Sequence, residues 1–595
     1  MLKFPYGICD FYRIQTNNYF YVDRTSHIRL IEDYGDQLIF LRPRRFGKSL
    51  LLSVLENYYD IAKADEFEKL FGHLAIGQNP TPKHNQYLVM TWDFSAVNPQ
   101  GDVTQIRQTL HRYINSCIQN FAVKYQHWLP IPISIEPNDA QASFQSLLTA
   151  VQATAYPLYL LIDEYDNFAN ELMMGNREIS ISRYKTLLTG EGTLKALFKA
   201  VKSAASGRGL ERVFITGVSP IVLSDMTSGY NVAESISLRR EFNDLCGFRD
   251  SEIAAVLNQI ATECALHQQK VNDALNLMQT FYNGYCFNQP IHELIYNPTL
   301  ALYFLKNFQQ DCQFPSEMLD SNLAMDRGKM TYISQFSLGE QLILQALNET
   351  PPLSLSRLAN SFGVDDMLNA TKETTFMPLL YYFGILTLNG ETDFGELQFK
   401  IPNLVVRKLY VERIFEMLLP QKQEREEVHL IAKHFYKTGD LQPVCDFMEQ
   451  RYFKVFDNRD YKTADELTIK TAFLTVLFDD MLYIMDSEMP LERRYADLTM
   501  IIRPERRKLK IHDFILEFKY LSISDVKLSG EKLRALSIDE LKALIPVQKK
   551  LAESKKQLLD YQKRLKSKYG KRLNLQLITV VAVGFERVIY ISFQY

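Results

Sequence analysis

The stretch that most constrains this chain is LIFLRPRRFGKSLLL, Leu38 to Leu52, where an apolar run meets a basic turn, then Gly-Lys-Ser, then a second apolar run. It reads as a buried strand, a tight loop and the first turns of a helix, with Gly47, Lys48 and Ser49 at the junction. Backbone N–H groups and the helix dipole favour an anion at such a place. Lys48 is positioned to reach terminal phosphates and the Ser49 hydroxyl to hold a magnesium ion. The full phosphate-loop pattern begins with glycine, and here Arg42 stands at that position.

A nucleotide site of this kind also needs acids on a neighbouring strand. LYLLIDEYDN, Leu158 to Asn167, supplies them, since its apolar run reads as a central strand ending in Asp163 and Glu164. Ligands of open α/β sheets bind at that carboxyl end. Asp163 is expected to hold the magnesium and Glu164 to polarise the attacking water. YLVMTWDFS (Tyr87 to Ser95) and RVFITGVSP (Arg212 to Pro220) read as further strands, and Val103 to Tyr125 and Ser49 to Tyr59 as helices. Asn18 to Arg29 reads as a short strand and a helix capped by Thr25 or Ser26. This alternation builds a parallel sheet covered on both faces. Thr216 either senses the γ-phosphate or is a satisfied hydroxyl in a turn.

Bulk composition narrows the alternatives. At 595 residues, 46% hydrophobic and 23% charged, the chain has material for several cores and is ordinary globular protein. A net charge of -3 announces no global attraction to nucleic acid, so such contact must come from a local patch. The seven cysteines are scattered, never as Cys-x-x-Cys, and read as reduced thiols of a cytosolic protein. MLKFPYGICDFY has no basic lead followed by an apolar segment, and no run of about 18 apolar residues occurs, so neither a signal peptide nor a membrane span is expected.

RPRRFGKSLLLSVLE, DFS, LLIDEYD, FITGVSP, LCGF, YNGYCF and YNPTLAL occur in this order and together resemble the predicted AAA-ATPase-like P-loop family over about the first 300 residues. In that family Arg42 is the usual residue where other phosphate loops have glycine. The resemblance implies ATP and magnesium as ligands. Arg42, Arg44 and Arg45 serve nucleotide binding, DNA contact or simply a solvated loop. Arg239 and Arg240 are candidate arginine fingers from a neighbouring subunit, in a homo-oligomer, or else plain surface. Asn297-Pro298 opens a helix where related ATPases place a lid contact to the nucleotide.

Further along, Gly339 to Tyr410 shows helices, SLSRLANSFG among them, followed by two strands joined by a glycine-containing turn, which suggests a winged-helix module. Its recognition helix would lie near VDDMLNATKETT, acidic to neutral, whereas phosphate contacts need lysine and arginine. A packing or regulatory role is therefore expected. His429 and His434 are five residues apart, which does not share a helical face, so no metal site is expected there.

After Phe456 a second chemistry comes into view. Ala464 to Phe478 reads as a helix carrying Glu466, Met481 to Ser487 and Arg494 to Ile502 as strands, the latter holding Asp497, and HDFILEFKYL as a strand with Glu517 and Lys519 on one side. Two carboxylates can clamp one or two metal ions on a phosphate while the lysine activates water or stabilises the developing charge. Charged side chains on so apolar a strand are costly unless paired or metal-bound. Glu531 to Arg572 is lysine-rich helix, and Leu575 to Val583 and Val588 to Phe593 read as closing strands. This order resembles the PD-(D/E)xK nuclease domain. The resemblance implies Glu466 as the first-helix acid, Asp497 and Glu517 as magnesium ligands, Lys519 as the catalytic lysine, and Gln557 with Tyr561 as the helix motif. The family's Gly-Arg-x-Asp is here Arg494-Tyr495-Ala496-Asp497.

The expected fold is α/β throughout: a P-loop domain at 1–295, a helical lid or connector at 296–338, a winged-helix-like module at 339–410, a helical connector at 411–460, and a nuclease-like domain at 461–595. The expected function is an ATPase coupled to a magnesium-dependent nuclease acting on DNA, in defence against or processing of foreign DNA. The alternative is a nucleotide-gated switch that binds nucleic acid without cutting. A translocating motor lacks a helicase motif set.

Overall fold

A computed structural model describes residues 1–98, 101–167, 192–221, 232–288, 293–319, 330, 333–334, 337–348, 352–359, 373–454, 465–486, 489–491 and 494–594. The chain divides into two compact units, one formed by Met1–Gln313 with Ser354–Pro402 and the other by Phe314–Leu353 with Asn403–Tyr595. Among the described residues no helix is long and apolar enough to cross a membrane.

In the first unit, β1 (Gln37–Leu41), β2 (Leu88–Asp93), β3 (Leu158–Asp163), β4 (Leu210–Gly217) and β5 (Glu234–Ser235) form one sheet in the order β2-β3-β4-β1-β5. All its pairings are parallel. Apolar runs favour this arrangement, because a strand covered on both faces has no polar side to show, and every residue of β3 is buried. The register sets Asp93 beside Asp163 at the carboxyl edge. β4 lies between β1 and β3, so the strand carrying Thr216 separates the loop strand from the acid strand. α1 (Lys48–Tyr59) leaves the loop and buries Leu51, Leu52, Leu55 and Tyr58, the face that helical spacing predicts.

The scattered motifs of this half gather around one side chain. Phe46 is fully buried, with Tyr285 and Phe287 edge-on to its ring at 4.9 and 5.3 Å. Gly284 has φ +110°, and a Cβ there would come within 1.9 Å of the Pro402 carbonyl oxygen, so only glycine fits. The hairpin Thr387–Glu391 and Leu397–Lys400 belongs to the same unit, and the Thr387 hydroxyl accepts the Cys286 N–H at 2.8 Å.

The second unit holds a mixed sheet. β6 (Tyr483–Asp486), β7 (Leu498–Ile502), β8 (Asp513–Leu521), β9 (Leu575–Val583) and β10 (Arg587–Gln594) run in the order β10-β9-β8-β7-β6. Only β8 and β9 pair in parallel. The strand period of two sorts β8. Ile515 and Leu521 join apolar clusters with α4 (Ile545–Tyr569), which covers one face. Phe514 and Phe518 meet Phe435 of α2 (Lys422–Thr438) and Phe473 of α3 (Glu466–Leu477) at 4.2 and 5.2 Å on the other. Glu517 and Lys519 thus share the parity of Ile515 and Leu521.

Several expectations need correction. Residues 19–24 form no strand, and the following helix starts at His27 without a side-chain cap from Ser26, because the Thr25 hydroxyl bonds Asp23 instead. Leu353–Leu355 is strand, with Leu353 and Leu355 buried in alternation, where a helix was expected from Ser354. The lysine-rich region is three helices, since Ser529 and Ser537 each cap a new start and Pro546 opens α4. The cysteines are not all free: Cys264 and Cys312, 48 positions apart, form a disulfide because the two helix ends that carry them meet. The expected recognition helix lies outside the described residues up to 372, and positions 373–375 open the helix Glu373–Tyr382.

Candidate functional site

Gly47 adopts φ +90°, a left-handed turn that glycine makes without strain, and it caps α1. This turn points the start of α1 into a cavity of about 320 Å³ lined by Arg45, Gly47, Lys48, Ser49 and Glu164 among others. Lys48 is buried and donates to the carbonyl oxygens of Arg42 and Pro43 at 3.1 and 3.2 Å. Burial pulls its ammonium below the ordinary lysine range, against the opposing pull of Glu164, Asp163 and Asp166. The Ser49 hydroxyl donates to Asp163 Oδ2 at 2.5 Å, and Thr216 donates to Asp163 Oδ1. Glu164 sits at φ +47°, strained for a side-chain-bearing residue, and burial raises its carboxyl against the pull of Lys48 and Arg44. Pro298, Thr299 and Leu302 close one wall, and the Thr299 hydroxyl donates to the Arg45 carbonyl at 2.9 Å.

The arginines of the loop part company. The Arg42 guanidinium is 1% exposed and faces away from the cavity's lining. It donates to the carbonyls of Leu41, Ser237 and Phe242 at 2.9, 2.7 and 2.7 Å, between the rings of Phe40 and Phe287. Its side chain therefore braces the loop from behind, and it is the Arg42 carbonyl that meets Lys48. Arg44 donates to Asn167 Oδ1 at 2.7 Å. Arg239 and Arg240 are exposed, and Arg239 pairs with Glu234 at 3.3 Å.

Motif reading passed over Asp166. This buried carboxylate accepts the N–H groups of Val218 and Ser219 at 3.0 and 2.8 Å and the Ser219 hydroxyl at 2.9 Å. Tyr165 donates to the Ser219 carbonyl at 2.6 Å. Together they lock the turn after β4 onto the acid strand. The third acid of LIDEYD was the available signal.

The second unit brings Glu466, Asp497, Glu517 and Lys519 together. Lys519 Nζ donates to Glu466 Oε1 and Glu517 Oε1, both at 3.1 Å, and to the Phe518 carbonyl at 2.8 Å. Asp497 Oδ2 accepts the Phe518 N–H at 2.8 Å. Asp497 stands one residue before the Leu498–Leu516 pairing, which aligns it with Glu517 on the next strand. Burial, then the like charge of Asp497, push the Glu517 carboxyl up to about 8. Burial raises Asp497 as well, opposed by Lys519. Burial also works against the charge of Lys519, but Glu517, Asp497 and Glu466 hold its ammonium above the ordinary lysine range. Lys470, 4% exposed on α3 (Glu466–Leu477), adds a second cation that draws Asp497 down. Its place one turn after Glu466 was the signal that could have found it. Tyr561 packs with Ala496 and Ile515 on α4, and one turn earlier the Gln557 Oε1 is buried without a hydrogen-bond partner.

Both sites fit the ions their chemistry calls for. Among the described residues no group of three or more His, Cys, Asp or Glu side chains forms a ready-made cage. In the first unit a serine hydroxyl and an aspartate oxygen lie side by side, the hard oxygen donors magnesium takes together with phosphate oxygens. In the second, Glu517 Oε2 is buried without a hydrogen-bond partner among the described residues. A divalent cation there would satisfy that oxygen and relieve the carboxylate repulsion.

Residues 5–227 match the family described as predicted AAA-ATPase, and residues 464–591 match the PD-(D/E)XK nuclease superfamily. A protein described as "Uncharacterized protein in vnfD 5'region", from Azotobacter chroococcum mcd 1, is 24% identical over 432 residues, covering 70% of this chain and 71% of its own length. Among solved structures, a Walker-type ATPase of Pyrococcus abyssi aligns with 65% of this chain and 94% of its own at 15% identity and a TM-score of 0.39. The ORC1 protein of Aeropyrum pernix in complex with DNA aligns with 66% of this chain and 93% of its own at 11% identity and a TM-score of 0.26. The family matches fall on the two stretches that carry the two sites: the chain joins a predicted AAA-ATPase domain to a domain of the PD-(D/E)XK nuclease superfamily.

Proposed function

We propose that this protein binds and hydrolyses ATP with magnesium at the first site and couples that cycle to metal-dependent cleavage of DNA at the second. The observation that carries the proposal is the buried Glu517 and Lys519 pair beside the half-buried Asp497, closed by Glu466, which packing alone gives no reason to bury. A divalent ion held by Asp497 and Glu517 would supply Lewis acidity and a more acidic water. Lys519, held protonated by three carboxylates, is a poor base and serves instead to steady negative charge on the phosphate. Glu466 and the Phe518 carbonyl aim it.

At the first site Lys48 meets the terminal phosphates, Ser49 and Asp163 flank magnesium, Glu164 orients water, and Thr216 reports on the γ-phosphate through Asp163. Arg45 lines the cavity, while Arg44 acts through Asn167. Arginine fingers from Arg239 or Arg240 in a homo-oligomer, a regulatory winged-helix module at 339–410 and a cytosolic location complete the proposal. A nucleotide-controlled nuclease suits defence against, or processing of, foreign DNA.

A second reading is a nucleotide-gated switch that binds nucleic acid without cutting. It is favoured by Arg494-Tyr495-Ala496 before Asp497, where the nuclease pattern begins with glycine. Linear and plasmid DNA, incubated with the full chain and magnesium with and without ATP, decide between them. Cutting by the wild type that Asp497→Ala and Lys519→Ala abolish is the expected result. No cutting by the wild type, or undiminished cutting by those variants, overturns the nuclease assignment.

A further inference from the structure

Away from the carboxylates, at the amino-terminal end of β8, the second unit has a cleft of about 340 Å³ lined by Lys437, Arg507, Lys510, His512, Arg572 and Asn574 among others. Its cations come from separate elements: the last turn of the helix Lys422–Thr438, the RPERRKLK loop after β7, and the short turn Gly570–Arg572 after α4. None of the described lining residues is acidic. Arg507 binds Asp513 at 2.6 Å and the Arg572 carbonyl at 3.1 Å, which fixes the floor of the cleft and neutralises the nearest carboxylate. Lys437 and Lys510 are exposed and have no ion-pair partner among the described residues. His512 contributes an Nδ1 that is buried and has no hydrogen-bond partner. Like charges gathered in one concavity repel, and an anion supplies what they lack.

We infer that this cleft is a second phosphate-backbone site, which grips nucleic acid at a distance from the carboxylates. Strand geometry sets that distance. With a rise of about 3.3 Å per residue, His512 and Glu517 lie about 17 Å apart, about five steps of 3.4 Å along a duplex. The inference rests on nucleic acid being the partner, as proposed above, but not on the second site cutting it. Contact through phosphates carries no sequence preference, so the cleft would anchor any duplex and fix its register on the carboxylate cluster.

The test uses the full chain, a fluorescent duplex oligonucleotide and chelator, so that binding is read without cleavage over a series of salt concentrations. Lys437→Glu combined with Lys510→Glu is expected to weaken binding about tenfold or more and to lower the salt dependence of affinity by about two phosphate contacts. The thermal midpoint and ATP binding should stay at wild-type values, because neither lysine is buried or, among the described residues, paired. Wild-type affinity and salt dependence in the variant overturn the inference, as does a wild type that binds no duplex. Cleavage measured in parallel separates the two proposals. DNA cut normally by a variant with unaltered affinity sinks the cleft alone. DNA held through the cleft but never cut sinks the nuclease alone.

Discussion

Each unit sets three acids around a lysine, yet the two arrangements are opposite in electrical sense. Lys48 is held by backbone carbonyls, and Asp163 is satisfied by the hydroxyls of Ser49 and Thr216. The cation there retains charge to offer an anion, as a phosphate loop requires. Lys519 is instead held by carboxylates, and burial, with the like charge of Asp497 beside it, keeps the proton on Glu517 to about pH 8. Once Glu517 releases its proton, that cluster has carboxylate oxygens to offer a cation. On the function proposed above, the same residue types thus serve a polyanion or a metal ion according to what holds the lysine.

The largest effects come from removing each lysine in turn. Lys519→Ala should lower DNA cleavage about 100- to 1,000-fold and leave ATP binding intact. Lys48→Ala should abolish ATP turnover and leave the intrinsic metal affinity of the second site unchanged. Loss of ATP binding in Lys519→Ala, or of metal affinity at the second site in Lys48→Ala, would break the comparison.

Next in size is the pH dependence of metal binding at the second site. Glu517 must release its proton to bind, so affinity should climb about tenfold per pH unit up to about pH 8 and then level off. Calorimetry in buffers of different ionisation enthalpy would detect the released proton. An affinity flat from pH 6 to pH 9 would remove the basis for the contrast.

Asp166→Ala strands the N–H groups of Val218 and Ser219, buried with the carboxylate, and should cost about 2–4 kcal/mol in denaturant unfolding of the first unit. A cost below about 0.5 kcal/mol, the range of ordinary surface changes, would mean that Asp166 does not set the turn.

The smallest effect has the opposite sign. A carboxyl raised in the folded state favours folding fully only below its unfolded value near 4.5, and that contribution is lost as pH rises to about 8. Glu517→Gln at pH 8.5 should therefore raise the thermal midpoint by about 2–4 °C while abolishing cleavage. A lowered midpoint would show that the ion pair with Lys519 outweighs burial.

Much of this was legible beforehand, for a local reason. The strands β1, β3, β4, β8 and β9 announce themselves as apolar runs, because a doubly covered strand leaves that mark in consecutive residues. Gly47, Lys48 and Ser49 are adjacent, and the Glu-x-Lys spacing of Glu517 and Lys519 places both on one side of a strand. Boundaries went wrong where a single side chain chose its partner, as when Thr25 bonded Asp23 and left the next helix uncapped.

The sequence by itself determined the Gly47-Lys48-Ser49 turn, the Asp163-Glu164 acids, the Glu517-x-Lys519 pair and the strands that carry them, since each depends on residues a few positions apart. Only the tertiary structure decided what those residues touch. It turned the Arg42 side chain away from the cavity beside Lys48 to hold Ser237 and Phe242, about two hundred positions on. It made Asp166 a clamp on Ser219, brought Lys470 up to Asp497, joined Cys264 to Cys312 and assigned Ser354–Pro402 to the first unit. All of these are contacts between segments distant in the chain. Period and spacing describe how a segment presents its own side chains, and carry no record of which distant segment will meet them.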